Sequence, residues 1–224
     1  MSNQSDLTIP RPELELVIHH RYGDLFDETD LSGNGNHGYL VSPAAISTER
    51  SAGALVLDGT TSRVIVRPSA SLRNLCAILV SAEIQVDELV HRRTVIEGFL
   101  AFSVVIESDA RLSGFVYTGE QWFGVESQPG QVPVNKWVKV GFYYDGLSTF
   151  VLTLDGTVIA QRELAVGPIR SVEWPFGLNI GGWPDTDSRM FKGQIRELKL
   201  WRAAHDSSYV TTWPQGSIQS FLSR

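Results

Sequence analysis

The chain has 224 residues, 42% of them hydrophobic, which is enough apolar material for a substantial core and excludes a disordered chain. Nineteen Lys and Arg against 25 Asp and Glu leave a formal charge of −6, which excludes a general electrostatic grip on nucleic acid or on an anionic membrane. A single cysteine, Cys76, excludes an internal disulfide and a cysteine-based zinc site.

The chain opens on Met-Ser-Asn-Gln-Ser-Asp, with no basic region followed by an apolar stretch, and no apolar run approaches the ~20 residues needed to span a bilayer. The cytoplasm is therefore the default reading, with an extracellular place open if a leader has been removed. Residues 1–11 read as a polar tail. From there, period-two alternation dominates and no helical stripe of a dozen residues occurs, which predicts an all-β domain over 12–205. The first strand runs from Leu14 to His20. Its adjacent His19 and His20 point to opposite faces, so they cannot chelate one metal from a flat strand.

Asp30-Leu-Ser-Gly-Asn-Gly-Asn36 follows as a loop. Strands are then predicted at Ala54–Leu57 and Arg63–Val66 around Asp58-Gly59, and at Cys76–Val86, Val95–Glu107, Arg111–Tyr117 and Gln121–Glu126. A three-strand meander from Trp137 to Leu164 turns at Asp145-Gly146 and Asp155-Gly156, the strongest short-range hairpin signals. Gly177–Gly181 and Phe191–Trp201 complete the set. Residues 206–224 form an extension whose Tyr209, Trp213 and Phe221 are expected to pack on the body.

Taken in order, Asp30-Leu-Ser-Gly-Asn-Gly-Asn-His-Gly38, Ala54-Leu-Val-Leu-Asp-Gly59, Lys136-Trp-Val-Lys-Val140, Leu154-Asp-Gly156 and Phe191-Lys-Gly-Gln-Ile-Arg-Glu-Leu-Lys-Leu-Trp201 resemble the laminin-G-like, or pentraxin-like, branch of the concanavalin A-like lectin/glucanase superfamily. The resemblance spans Leu14 to Ala204. It implies two antiparallel sheets packed as a jelly-roll sandwich, one of them concave. It also implies a binding function, mostly toward carbohydrate or protein and often with calcium.

Asp30, Ser32, Asn34 and Asn36 place side-chain oxygens at alternate positions, with Gly33 and Gly35 letting the loop curl, and are the candidate calcium ligands. The twelfth position from Asp30 is Val41 where an EF-hand needs a glutamate, so an EF-hand is excluded. In the resembling family an Asp commonly follows the Ile of the adjacent strand, and here Arg196 stands there. The alternative is a turn closed by its own side-chain to backbone hydrogen bonds.

A sugar's apolar face stacks on an exposed ring while polar side chains bond its hydroxyls. Trp183, in a loop with Asp185, Asp187 and Arg189, is the leading stacking candidate. Tyr117 and Trp122, flanking the turn at Thr118-Gly119-Glu120, are further candidates, and Trp174 precedes Pro175 in another loop. Trp137 and Trp201 match core positions of the family and are expected in the sandwich. Arg outnumbers Lys by 15 to 4, a bias suited to bidentate binding of carboxylate, sulfate or phosphate.

For catalysis, Glu83 and Asp87 share a strand face, but Gln85 stands between them where the superfamily's glucanases carry an Asp. These features lead to a non-catalytic binding module for a glycan or a protein ligand, with calcium as its possible cofactor. Two alternatives stand beside it: a jelly-roll enzyme using acids such as Glu83, Asp87 or Glu97, and a structural or assembly subunit.

Overall fold

A strand buried on one face must bury every second side chain, and two such faces pressed together give the architecture seen in the computed structural model. It describes residues 14–23, 29–41, 53–73, 75–170, 177–183 and 189–204. The tail over 1–11 and the extension over 206–224 lie outside those residues. In chain order the strands are β1 (Glu15–Arg21), β2 (Gly38–Val41), β3 (Leu55–Asp58), β4 (Arg63–Val66), β5 (Leu75–Val86), β6 (Arg93–Gly98) and β7 (Phe102–Ile106). They continue as β8 (Leu112–Tyr117), β9 (Trp122–Glu126), β10 (Trp137–Tyr144), β11 (Thr149–Leu154), β12 (Thr157–Glu163), β13 (Leu178–Ile180) and β14 (Lys192–Ala204).

Two seven-stranded antiparallel sheets result. The first runs β1-β14-β5-β10-β11-β12, with β3 also paired to β14, and the second runs β2-β4-β13-β6-β7-β8-β9. This is the all-β jelly-roll sandwich that the resemblance implied. No helix among the described residues is long and apolar enough to cross a membrane.

The core lies between the sheets. Ile78, Val80, Ala82, Ile84 and Val86 of β5 and Val138, Val140, Phe142 and Tyr144 of β10 meet Val104, Ile106, Leu112, Val116, Leu178 and Ile180 of the other sheet. Gly114 of β8 marks a close approach of the two sheets, because a Cβ there would stand 2.2 Å from Cδ2 of Phe142. At Asp155-Gly156 both residues have positive φ, 49° and 78°, the pairing that a two-residue hairpin of the favoured twist requires.

Three expectations are corrected. The stretch Val95–Glu107 is not one strand but two, because the chain reverses at Phe99–Ala101. Ala101 N–H donates to the Gly98 carbonyl at 3.0 Å, and Leu100 takes a φ of 50°, a conformation that its apolar identity does not advertise. Asp58-Gly59, a third Asp-Gly between two predicted strands and so a hairpin signal, makes no hairpin, since β3 pairs with β14 in the first sheet and β4 with β2 and β13 in the second. It is the corner where the chain changes sheets, braced by Asp58 accepting the N–H groups of Thr60, Thr61 and Ser62. Trp137 and Trp201, finally, are not core residues. Alternation along β10 and β14 sends Val138 and Leu200 inward and leaves both indoles half-buried on the outer face of the first sheet.

Candidate functional site

The second sheet presents an outer face on which one cross-strand row runs through all seven strands. The register is Tyr39, Ile65, Asn179, Glu97, Ser103, Phe115 and Gly124, each opposite the next. The middle of this row is polar and yet closed to solvent, with Asn179 0%, Glu97 4% and Ser103 4% exposed. Ser103 Oγ donates to Glu97 Oε2 at 3.1 Å, and Arg189 Nη2 reaches the same oxygen at 3.1 Å. In the neighbouring row Thr94 and Ser113, fully buried on either side of Val105, carry hydroxyls with no hydrogen-bond partner among the described residues. Buried polar groups are costly without partners, so so polar a sheet face is not explained by packing alone.

One step nearer the β6–β7 turn the face becomes aromatic. Trp183, the leading stacking candidate, lies parallel to Phe99, with centroids 5.6 Å apart and planes 6° off parallel, and is only 4% exposed. Its ring is used for packing, which corrects the expectation of an open platform there. Arg189, its companion in the same candidate set, is spent on Glu97. Asp185, Asp187 and Trp174 lie outside the described residues.

Tyr117 and Trp122, in contrast, face each other across β8 and β9 with centroids 5.4 Å apart, tilted by 48°. Trp122 is 40% exposed, and Tyr117 is held by its hydroxyl donating to the Gly119 carbonyl at 3.0 Å. Phe115 completes the group from two residues upstream. Its ring lies over Gly124, where a Cβ would come 2.4 Å from Phe115 Cδ1, so only the absence of a side chain lets the ring settle there. Two arginines are anchored on the backbone of these strands. Arg162 Nη1 donates to the Gly124 carbonyl at 2.8 Å, and the Arg170 N–H donates to the Tyr117 carbonyl at 2.8 Å while its side chain runs beside Gly119. Phe115, Tyr117 and Trp122 thus form an open, half-exposed aromatic platform at the edge of the sheet.

The Asp30 loop is bound tightly to β1. Asp30 Oδ1 accepts the N–H groups of His19 at 2.9 Å and Ser32 at 3.0 Å, and Oδ2 accepts the Ser32 hydroxyl at 2.7 Å and the Asn36 N–H at 2.9 Å. Asn34 and Asn36 turn their amides inward to the carbonyls of Leu16 and Val17. Burial pulls the Asp30 carboxyl upward, but these hydrogen bonds outweigh it and hold it below the usual range. A hard cation needs converging oxygens free to face it, whereas both Asp30 oxygens already face protein donors. The arrangement fits the self-closed turn better than a calcium cradle. No cluster of three or more His, Cys, Asp or Glu suited to a metal occurs among the described residues.

The remaining acids sit elsewhere. Glu83 is on the outer face of the first sheet, ion-paired to Arg196, whose guanidinium lies 4.1 Å from the centre of the Trp137 ring. Arg196 is the extra residue of a bulge in β14, which turns it outward beside Glu197. Asp87 is exposed beyond the end of β5. Of the acids weighed for catalysis, only Glu97 belongs to the polar row.

A family model described as the concanavalin A-like lectin/glucanases superfamily matches residues 58–211. None of the curated proteins matches the chain. Among solved structures, domain 4 of AbnA, a GH43 extracellular arabinanase from Geobacillus stearothermophilus in complex with arabinotriose, superposes with a TM-score of 0.62 at 19% identity, over 89% of this chain and 98% of that one. The binding domain of Paraclostridial Mosquitocidal Protein 1 gives 0.66 at 14%, over 87% of this chain and 50% of that one. The CBM40 of the Ruminococcus gnavus IT-sialidase, bound to α2,3-sialyllactose, gives 0.51 at 15%, over 62% of this chain and 82% of that one. At these identities the likeness is one of fold.

Proposed function

Because the chain belongs to the concanavalin A-like lectin/glucanase superfamily, we propose that it is a non-catalytic binding module that holds a carbohydrate on the outer face of its second sheet. The observation that carries this reading is the half-exposed Tyr117–Trp122 pair, with Phe115 on the same sheet face two residues upstream. The C–H face of a sugar ring gains dispersion and apolar burial on such a surface while its hydroxyls stay free for polar neighbours. The arabinanase domain with arabinotriose and the CBM40 with sialyllactose support the reading, as modules of this fold that hold oligosaccharides.

The module acts by binding alone. Retaining hydrolysis needs a second carboxylate about 5–5.5 Å from the first, the spacing of directly opposed positions on neighbouring strands. Glu97 is opposed by Asn179 and Ser103, neither of which is an acid. Binding is also independent of calcium, since the Asp30 loop is closed by its own hydrogen bonds and lies away from the platform.

A glycan array followed by calorimetry tests this. We expect hits that persist in EDTA and that Trp122→Ala reduces at least tenfold without loss of fold. An array without hits, or hits indifferent to Trp122→Ala, overturns the reading.

A further inference from the structure

We infer that the saccharide bears a carboxylate, as sialic and uronic acids do, and that Arg162 and Arg170 grip it at the rim of the aromatic platform; this rests on the carbohydrate reading of that face. The chain carries a net charge of −6, and Arg92, Arg93, Arg111, Arg189, Arg196 and Arg202 each have a carboxylate partner. Arg162 and Arg170 have no ion pair among the described residues, and neither do Arg21, Arg63, Arg67 and Arg73, but only Arg162 and Arg170 are anchored on the strands that carry the platform.

Their positions are fixed by the platform itself. Arg162 is anchored through Nη1 on the Gly124 carbonyl, the residue over which the Phe115 ring lies. Its other guanidinium N–H groups make no hydrogen bond among the described residues. Arg170 is anchored by its backbone on Tyr117, and its side chain passes the Gly119 turn that the Tyr117 hydroxyl closes. Of the nearby acids, Glu126 is occupied by Arg111 at 3.1 Å, while Glu120, in the turn between Tyr117 and Trp122, is exposed and has no ion pair among the described residues. The adjacent Glu163 is turned toward Thr149 at 3.0 Å and Gln161 at 3.1 Å.

A planar guanidinium fork recognises a carboxylate through two parallel bonds, and an apolar ring beside it lowers the local dielectric and strengthens them. Rings that hold a sugar face and nearby arginines with no ion pair among the described residues are together suited to a sugar acid rather than to a neutral sugar. Exposed arginines also mean that the preference is sensitive to salt.

The test is calorimetric titration of the full chain with matched pairs, lactose against α2,3-sialyllactose and galactotriose against trigalacturonate. We expect at least one acidic member to bind tenfold or more tightly than its neutral counterpart, with the ratio shrinking at high salt. Arg162→Gln and Arg170→Gln should each lower the ratio several-fold, and Arg162→Lys, which keeps the charge without the fork, should fall between. The two pairs separate a sialic from a uronic acid. Neutral and acidic sugars binding alike, with loss in Trp122→Ala, overturns the carboxylate inference and leaves the carbohydrate reading intact. Absence of binding by every sugar here and on the array overturns both. A ratio unchanged in both arginine variants, each with a native melting profile, removes these residues from the site.

Discussion

Trp183 and Trp122 project onto the same sheet face but do opposite work: the first is 4% exposed and stacked on Phe99, the second is 40% exposed beside Tyr117. Truncating a buried indole leaves a cavity, so Trp183→Ala should cost about 3–5 kcal/mol. Trp122→Ala should cost under about 1 kcal/mol, because much of its ring is wet in the folded state. Urea unfolding of the two variants separates them. Equal losses would contradict the division of labour between the rings.

Asp30 gathers four hydrogen bonds, including backbone N–H groups on β1 and at Asn36. Asp30→Ala should therefore destabilise by about 2 kcal/mol or more, as stranded buried donors do. Millimolar calcium should leave the melting temperature of EDTA-treated protein unchanged. An upward shift with calcium that Asp30→Ala abolishes would show that the turn opens to admit the ion.

His20 is buried, with Nε2 bonded to the Asn36 carbonyl at 2.8 Å and Nδ1 near the Tyr22 hydroxyl at 3.3 Å. Burial lowers its pKa below 6.5, against the opposing pulls of the Asn36 carbonyl and of Asp30, with His19 and His37 adding to the lowering. The unfolded chain then takes up the proton first. The neutral ring's contribution is complete above about pH 6.5 and is lost as the pH falls below it toward the folded-state value. Melting temperature should drop between about pH 7 and pH 5, and His20→Gln should flatten the profile in that window. A wild-type profile flat across that range would remove His20 from the account.

Gly114 faces Phe142 across the core with no room for a methyl group. Gly114→Ala should cost about 1–3 kcal/mol by overpacking, read as a lower urea midpoint with an unchanged slope. A neutral result would mean that the two sheets can move apart at this contact.

Local chemistry made much of the fold legible. Asp155-Gly156 can hardly be anything but a tight hairpin, and the opposite fates of His19, at 2.8 Å from Glu197, and His20, in the core, follow from the strand's period of two. Alternation also contained the correct placement of Trp137 and Trp201, since their neighbours Val138 and Leu200 face inward, yet large apolar residues invite a core assignment. The reversal at Phe99–Ala101 was hidden because Leu100 adopts a conformation normally signalled by glycine or asparagine.

The platform was half visible. Tyr117 and Trp122 flank an evident turn, but Phe115 joins them only through its register with Gly124, and Arg162 reaches the site from the other sheet. Such meetings depend on tertiary pairing, which no local pattern encodes.

The last described strand, β14, lies between β1 and β5 and also holds β3. β1, β3 and one edge of β5, whose other edge holds β10, therefore wait for a strand that leaves the ribosome more than a hundred residues later. Such long-range pairing makes for slow folding, and until β14 arrives the nascent chain carries unsatisfied strand edges that invite aggregation or a holding chaperone.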